Sequence, residues 1–194
     1  WNRMSTEYMD ALERAVQDAA TDPRVRVLVF TADGDENFSV GMDLKQLADR
    51  MTDRPALERL LDQRLRVLAR IESLDKPSIA TLFGYCLGGG LELPLACHFR
   101  LAAETGASIG LPELELGVVP AWGGTARLTR CVGRDKALDL MLRARKIDGP
   151  EALRIGLVHS VHPAGQLKAA AHALALELAA MPPLAVAGIL AAWA

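Results

Sequence analysis

At 194 residues the chain is long enough for one domain with a sizeable hydrophobic core, since domains commonly contain about 100–200 residues. Hydrophobic residues make up 51% of the sequence and aromatic residues 5%, which is typical of a helix-rich globular protein and excludes a disordered tail. The net charge is −2, so electrostatics gives no reason to expect nucleic acid or an anionic membrane as the main partner.

Cysteine usage and hydropathy bear on the compartment. Cys86, Cys97 and Cys131 are odd in number, lie in apolar surroundings and lack CxxC spacing, which predicts buried thiols in a reducing compartment. No signal peptide opens the sequence, and it contains no uncharged apolar span of about 20 residues. We therefore expect a soluble protein of the cytoplasm or a similar compartment.

The chain begins with a predicted helix and strand. Ser5 is a candidate N-cap for an amphipathic helix that ends at the Asp-Pro pair of residues 22–23. Residues 25–31 are β-rich and apolar, as expected of a strand covered on both faces in a mainly parallel sheet. An α/β architecture follows.

A second unit leads to a glycine-rich turn. Residues 38–44 lead into a short helix that ends near Arg50, and the apolar repeat over residues 57–71 predicts a long amphipathic helix. A predicted strand at residues 78–83 then enters residues 84–92, where three successive glycines precede a helix start. Free N–H groups at such a start can stabilise negative charge that develops on an oxygen.

The second half of the chain is predicted to be mostly helical, without repeats or low-complexity stretches. We expect a strand at residues 99–103, a helix that starts within residues 120–125 and continues past residue 128, and helices around residues 135–142 and 150–155. A short strand at residues 157–161, a helix at residues 165–180 and a final apolar segment follow.

Few familiar catalytic motifs are present. The sequence has no GxGxxG opening a helix, no GxxxxGK[ST] and no GxSxG, and its four histidines lack ligand spacing, so we expect no metal site. Two glycine turns, at residues 41–42 and 88–90, and the carboxylates of Glu92 and Glu113 remain. On the residues alone, Glu92 is equally well explained as a proton-transfer group or a surface acid, and Glu113 is better explained as a surface loop acid.

Four segments resemble the enoyl-CoA hydratase/isomerase family, the crotonase superfamily, in the family's order and spacing. They are residues 38–45, 84–96, 111–117 and 120–128. The resemblance implies an α/β spiral of strand–strand–helix units. It assigns residues 1–163 to the catalytic core and residues 164–194 to the start of a C-terminal helical region that mediates trimer contacts. The strands that precede the first helix in the family, and its later C-terminal helices, are missing from this sequence.

The resemblance also implies site residues. Two backbone N–H groups, those of Met42 and Gly89, would form the oxyanion hole for a thioester carbonyl. Glu92 would deprotonate the water that attacks Cβ, and Glu113 would deliver a proton to Cα. We expect both carboxylates to face one cavity and both N–H groups to converge. Further substrate-binding positions implied by the resemblance are Val40, Gly41, Asp43, Leu44, Gly88 and Trp122.

Three residues depart from the family's common pattern. Met42 replaces a frequent alanine, His98 a common aspartate and Trp122 a frequent small residue. Met42 and Trp122 are bulky enough to reshape an acyl pocket, although core packing explains Trp122 equally well.

The implied activity is hydration of a 2-enoyl-CoA to a 3-hydroxyacyl-CoA, with coenzyme A as part of the substrate and no other cofactor. Double-bond isomerisation, which can use one carboxylate, is the nearest alternative. A non-catalytic binding or scaffold subunit is the second, and a paired-carboxylate glycosidase ranks behind both. The apolar C-terminal region leads us to expect a homo-oligomer, which the resemblance implies is a trimer or hexamer. We expect no nucleic-acid or membrane partner.

Overall fold

The computed structural model describes residues 1–48 and 52–193. The helices are α1 (Thr6–Thr21), α2 (Leu44–Ala48), α3 (Arg54–Glu72), α4 (Gly89–Ala96), α5 (Gly124–Val132), α6 (Arg134–Leu142), α7 (Gly149–Arg154), α8 (Ala164–Ala179) and α9 (Pro183–Trp193), with a 3₁₀ helix at Glu113–Leu116. The strands are β1 (Arg3–Met4), β2 (Leu28–Phe30), β3 (Gly41–Met42), β4 (Ser78–Leu82), β5 (Tyr85–Leu87), β6 (Phe99–Ala103), β7 (Ser108–Gly110) and β8 (Ser160–His162).

The strands pair in parallel throughout the three sheets. The four-stranded sheet has the order β2-β4-β6-β8, and two smaller sheets pair β1 with β3 and β5 with β7. Parallel neighbours need crossover connections, which here contain the helices. The predicted α/β fold with strand–strand–helix units and C-terminal helices is thereby confirmed.

Gly84 explains how two consecutive strands enter different sheets. It separates β4 from β5 with a φ of +52°, and a Cβ atom there would lie 1.7 Å from the carbonyl oxygen of Glu36. Only glycine fits this bend, since it tolerates positive φ and adds no side chain. The chain can therefore leave the large sheet, pair with β7 and enter α4 within a few residues.

Several predicted elements are confirmed by local chemistry. The Ser5 hydroxyl accepts a hydrogen bond from the Tyr8 amide at 3.2 Å, and α1 ends one residue before Asp22. The carboxylate of Asp53 caps α3 in the same way, at 3.1 Å from the Ala56 amide. The end of the short helix predicted near Arg50 lies outside the described residues.

A strand is found within residues 25–31, as predicted, but its expected length and its burial on both faces were wrong. Only Leu28–Phe30 form β2, and this strand lies at the edge of the sheet. Helix α8 packs against β2, yet Val29 is 40% exposed and its two neighbours in the strand are only half-buried. The faces of a parallel strand are buried only where helices pack on them, which an apolar run does not ensure.

The hydrophobic core is continuous around the four-stranded sheet and the helices α1, α3, α4 and α8. Cys86 and Cys97 are buried in it, as predicted, whereas Cys131 is only half-buried. His98 is also buried, and its Nδ1 lies 2.8 Å from the Ser78 hydroxyl. The departure at residue 98 thus belongs to the core.

The C-terminal helices contribute less to this core. Leu167 and Ala171 of α8 are buried, but Leu184 and Ile189 of α9 are 88% and 69% exposed. Within the described residues, no single helix is long and apolar enough to cross a membrane; α8 and α9 meet these criteria only as a pair bent by 105°.

Candidate active site

Close backbone packing brings β3 to the start of α4. Gly41 has a φ of +82°, and a Cβ atom on it would lie 2.7 Å from the Leu87 carbonyl oxygen and 2.9 Å from the Gly89 nitrogen. A side chain at residue 41 would therefore separate the two segments. Their approach places Met42 beside the glycine turn, so the two predicted oxyanion residues belong to adjacent segments.

Gly89 opens α4 under the ring of Trp122. A Cβ atom on Gly89 would lie 2.2 Å from Cζ3 of this indole, which is only 2% exposed. No acceptor for the Gly89 amide is found among the residues that the structure describes. The amide is thus a donor at the positive end of a helix, where an anionic oxygen is favoured.

Glu92 lies one turn into α4 and is almost completely buried, with 2% of its surface exposed. Its Oε1 accepts hydrogen bonds from the amides of Trp122 at 2.8 Å and Gly124 at 2.7 Å. Burial raises the pKa of Glu92 to about 7, against the opposing effect of the Gly124 amide, and the charge of Glu113 adds to the rise. This carboxyl group therefore changes protonation near neutral pH.

Glu113 begins the 3₁₀ helix and is half-buried. Its Oε2 is buried and has no hydrogen-bond partner among the described residues. Burial raises the pKa of Glu113, opposed by a hydrogen bond from its own amide. A buried carboxyl oxygen without a hydrogen-bond partner among the described residues is available to a ligand or a water molecule, which favours a functional role for Glu113.

Both carboxylates line one cavity of about 530 Å³. Of the described residues in its wall, only these two glutamates are charged. The apolar side chains of the wall are Val40, Met42, Leu44, Leu47, Leu57, Leu61, Leu87, Pro112, Leu116, Val118, Val119, Ala121 and Trp122. Pockets of this size and polarity suit a largely apolar organic group held by a few polar contacts.

The cavity unites most of the residues implied by the resemblance. These are Val40, Met42, Leu44, Gly88, Gly89, Glu92, Glu113 and Trp122. Gly41 and Asp43 lie outside the wall. Gly41 is packed against the backbone behind the turn, and the Asp43 carboxylate accepts a hydrogen bond from the Lys45 amide at 3.0 Å, which caps α2.

Sequence reasoning missed part of the cavity wall. Leu57 and Leu61 of α3, and Val118 and Val119 after the 3₁₀ helix, were not among the expected site residues. The two leucines belong to the amphipathic repeat that predicted α3. Periodicity identifies an apolar face, but it does not distinguish leucines that meet the core from those that border a cavity.

No three His, Cys, Asp or Glu side chains lie together as a metal site requires, within residues 1–48 and 52–193. The lack of such a cluster does not test whether the protein binds a metal, so the expected absence of a metal stays a prediction. What the site offers instead is a helix-start amide, two carboxyl groups with raised pKa values and apolar walls.

The fold and the site together define a class of α/β proteins, in which parallel strand–strand–helix units carry a glycine turn beside paired carboxylates. The sequence model of the enoyl-CoA hydratase/isomerase family matches residues 1–193. The chain belongs to this family.

Known proteins of similar sequence and structure agree with this membership. A probable enoyl-CoA hydratase of Bacillus subtilis (strain 168) is 38% identical over 190 residues, which cover 97% of this chain and 72% of the relative. The crystal structure of an enoyl-CoA hydratase from Bacillus anthracis superposes on this chain with a TM-score of 0.90 at 34% sequence identity. The match covers 96% of this chain and 72% of that enzyme. The structure of DspI from Pseudomonas aeruginosa also has a TM-score of 0.90, at 33% identity, and the match covers 97% of this chain and 75% of DspI.

Proposed function

We propose that the protein hydrates a 2-enoyl-CoA to a 3-hydroxyacyl-CoA. The observation that carries the proposal is the pair Glu92 and Glu113 in one apolar cavity beside the start of α4. Adding water across a double bond requires one group that removes a proton from water and another that protonates the neighbouring carbon. Two carboxyl groups at one cavity supply both.

Glu92 is assigned the role of base. The amides of Trp122 and Gly124 hold one carboxylate oxygen, which leaves the other oxygen to orient a water molecule. A pKa of about 7 lies close to neutral pH, where a base is both deprotonated in useful amount and strong enough to accept a proton. The water oxygen would bond to Cβ as its proton passes to Glu92.

Glu113 is assigned the role of acid. Burial raises the pKa of this carboxyl group, and its Oε2 lacks a protein partner among the described residues. Its proton would pass to Cα. The step adds one water, as hydroxyl to Cβ and hydrogen to Cα, and leaves Glu92 protonated and Glu113 deprotonated. The proton of Glu92 must then pass to Glu113, directly or through water in the cavity that both line, before the next turnover.

Negative charge develops on the thioester carbonyl oxygen during this addition. The Gly89 amide at the start of α4, with the amide of Met42 from the adjacent strand, is the proposed donor pair. One such donor is typically worth about 10²–10³ in kcat, because it is already oriented when the charge appears. The apolar wall favours an acyl group without polar substituents, since such substituents would be buried unpaired.

The test is a panel of enoyl-CoA thioesters in which loss of the conjugated thioester absorbance is followed. We expect Glu92→Gln and Glu113→Gln each to lower kcat by about 10²–10⁴-fold, the usual contribution of a positioned acid or base. Glu115→Gln is the matched control, because Glu115 lies on the same 3₁₀ helix but is exposed and pairs with Lys146.

Other outcomes separate the alternatives. Movement of the double bond in a 3-enoyl-CoA, without hydration of the 2-enoyl-CoA, would identify an isomerase. Absence of both reactions in the folded protein would favour a binding subunit and refute the proposed hydration.

A further inference from the structure

The two amides that hold Glu92 come from a single turn. Trp122 lies 30 residues beyond the glutamate, just before α5, and Gly124 lies 32 residues beyond it, as the first residue of α5. Gly123 between them has a φ of +90°. Glu92 therefore depends for its position on whatever holds this turn in place.

Arg127 of α5 contacts the turn directly. Its Nη1 donates to the carbonyl oxygen of Trp122 at 2.7 Å, and the residue is only 7% exposed. A Cβ atom on Gly123 would lie 2.5 Å from the same Nη1. A side chain at residue 123 would therefore press on the guanidinium that reaches the carbonyl.

The other side of the guanidinium is anchored on a different helix. Nε and Nη2 of Arg127 donate to Oε2 of Glu72 at 3.0 and 2.8 Å, and Glu72 is the last residue of α3. A planar guanidinium can bridge a carboxylate and a carbonyl in one fixed geometry, which an ammonium group does not reproduce. The end of α3 is thereby connected to the turn that holds Glu92.

We propose that Arg127, anchored by Glu72, is a positioning residue that fixes the turn at residues 122–124, so that its two amides hold the Glu92 carboxylate at the cavity. The inference rests on the proposed role of Glu92 as the base. It concerns residues outside the active cavity: Arg127 and Glu72 line a separate cavity of about 540 Å³, whose wall does not contain Glu92.

Arg130 provides a matched control. It also pairs with Glu72, through the other carboxylate oxygen, and lines the same second cavity. Its side chain is 65% exposed and makes no described hydrogen bond to the turn. Arg127→Met and Arg130→Met each remove one arginine from Glu72, but only the first removes the bond to the Trp122 carbonyl.

The direct readout is titration of the Glu92 carboxyl carbon by NMR, with its signal assigned by its loss in Glu92→Gln. Two charged groups act on this carboxyl group: Glu113 raises its pKa and Arg127 lowers it, as do the amides of Trp122 and Gly124. Losing Arg127 removes its positive charge and loosens the amides, so the pKa of Glu92 should rise in Arg127→Met and stay unchanged in Arg130→Met. Arg127→Lys keeps the charge without the planar fork, so a rise there reports the loosened amides alone, and an unchanged pKa there would overturn the positioning role.

Kinetics supply a second readout. In Arg127→Met we expect kcat to fall by about 10²-fold, the cost of a misplaced catalytic group, with a smaller change in KM. The acid limb of the pH profile should move to higher pH with the pKa of Glu92. Arg127→Lys, which keeps the charge without the planar fork, should also lose kcat.

A wild-type Glu92 titration and kcat in folded Arg127→Met would overturn the proposal. If Arg127→Met does not fold, Glu72→Gln keeps the side-chain size and weakens the anchor of Arg127 together with the pair to Arg130, whose loss alone is measured in Arg130→Met. It should shift the titration in the same direction, and an unchanged titration there would equally overturn the proposal. Because the titration needs no turnover, it tests the positioning even if the protein hydrates none of the enoyl-CoAs.

Discussion

The two glutamates of the candidate site are the same residue type in different surroundings. Glu92 is almost fully buried and accepts hydrogen bonds from two amides. Glu113 is half-buried, and its Oε2 has no hydrogen-bond partner among the described residues. Burial raises the pKa of both. Retaining an ionisable group in such a place reduces stability, a common cost of an active site.

This cost predicts a specific pH dependence. The pKa of Glu92 is raised from 4.5 to about 7 in the folded chain, so between these values the folded state binds more protons than the unfolded state. The stabilising effect of the neutral carboxyl group is fully present below the unfolded pKa and is lost as the pH rises through the folded pKa. The loss amounts to about 3 kcal/mol, at about 1.4 kcal/mol per pKa unit.

Glu92→Gln should therefore gain stability relative to the wild type at pH 8 and gain much less at pH 5. Urea unfolding at the two pH values measures the difference. Glu115→Gln is the control, because it removes only a surface ion pair with Lys146. An equal effect of Glu92→Gln at both pH values would contradict a raised pKa at this position.

At the scale of elements, short segments carry the site and longer ones support them. Helix α4 contains eight residues, all buried, and begins with the glycines that approach β3 and Trp122. The 3₁₀ helix Glu113–Leu116 is shorter still and ends at Gly117, whose φ is +70° and whose amide bonds back to the Leu114 carbonyl at 3.1 Å. This bond closes the 3₁₀ helix that Glu113 begins.

Gly117→Ala should consequently reduce both stability and activity. A Cβ atom at this left-handed position meets open space, so the expected cost is backbone strain of about 1 kcal/mol. Opening of the 3₁₀ helix should move Glu113 and lower the hydration rate. Urea unfolding and the absorbance assay measure the two effects.

Gly106 offers a closely matched comparison. Its φ is +76°, a Cβ atom there also meets open space, and it lies in the turn between β6 and β7. Gly106→Ala should lose a similar amount of stability and keep its hydration rate. A comparable loss of activity in both variants would show that Gly117 has no special connection to Glu113.

At the scale of the whole molecule, the C-terminal helices expose several large apolar side chains. Leu176, Leu184 and Ile189 are 59%, 88% and 69% exposed in the described part of the chain. Large exposed apolar surfaces favour association, and closed homo-oligomers are common. The expected trimer or hexamer, and a boundary at residue 163 between core and helical region, stay predictions.

Charged substitutions should separate the subunits if α8 and α9 form the contact. In the full-length protein, Leu184→Glu combined with Ile189→Glu is expected to lower the mass measured by light scattering at micromolar concentration. Leu142→Glu, at the end of α6 and 67% exposed in this chain, is the control and should leave the mass unchanged. A strictly monomeric wild type would refute the association.

The sequence alone determined the elements that depend on short-range chemistry. The Ser5 cap and the apolar repeat of α3 predicted helices with nearly correct ends, because capping and helical periodicity involve residues within a few positions of one another. It also established the family resemblance, through four segments whose order and spacing are visible in one dimension. That resemblance, and not the local pattern, selected Glu113 as a site residue.

The tertiary structure decided what depends on distant parts of the chain. Strands β5 and β7 are too short to be predicted from their own residues and are defined by their pairing. The edge position of β2, the leucines of α3 that border the cavity and the amides that hold Glu92 are likewise set by contacts between separate elements. Burial, which raises the pKa values of both glutamates, exists only after those elements have packed.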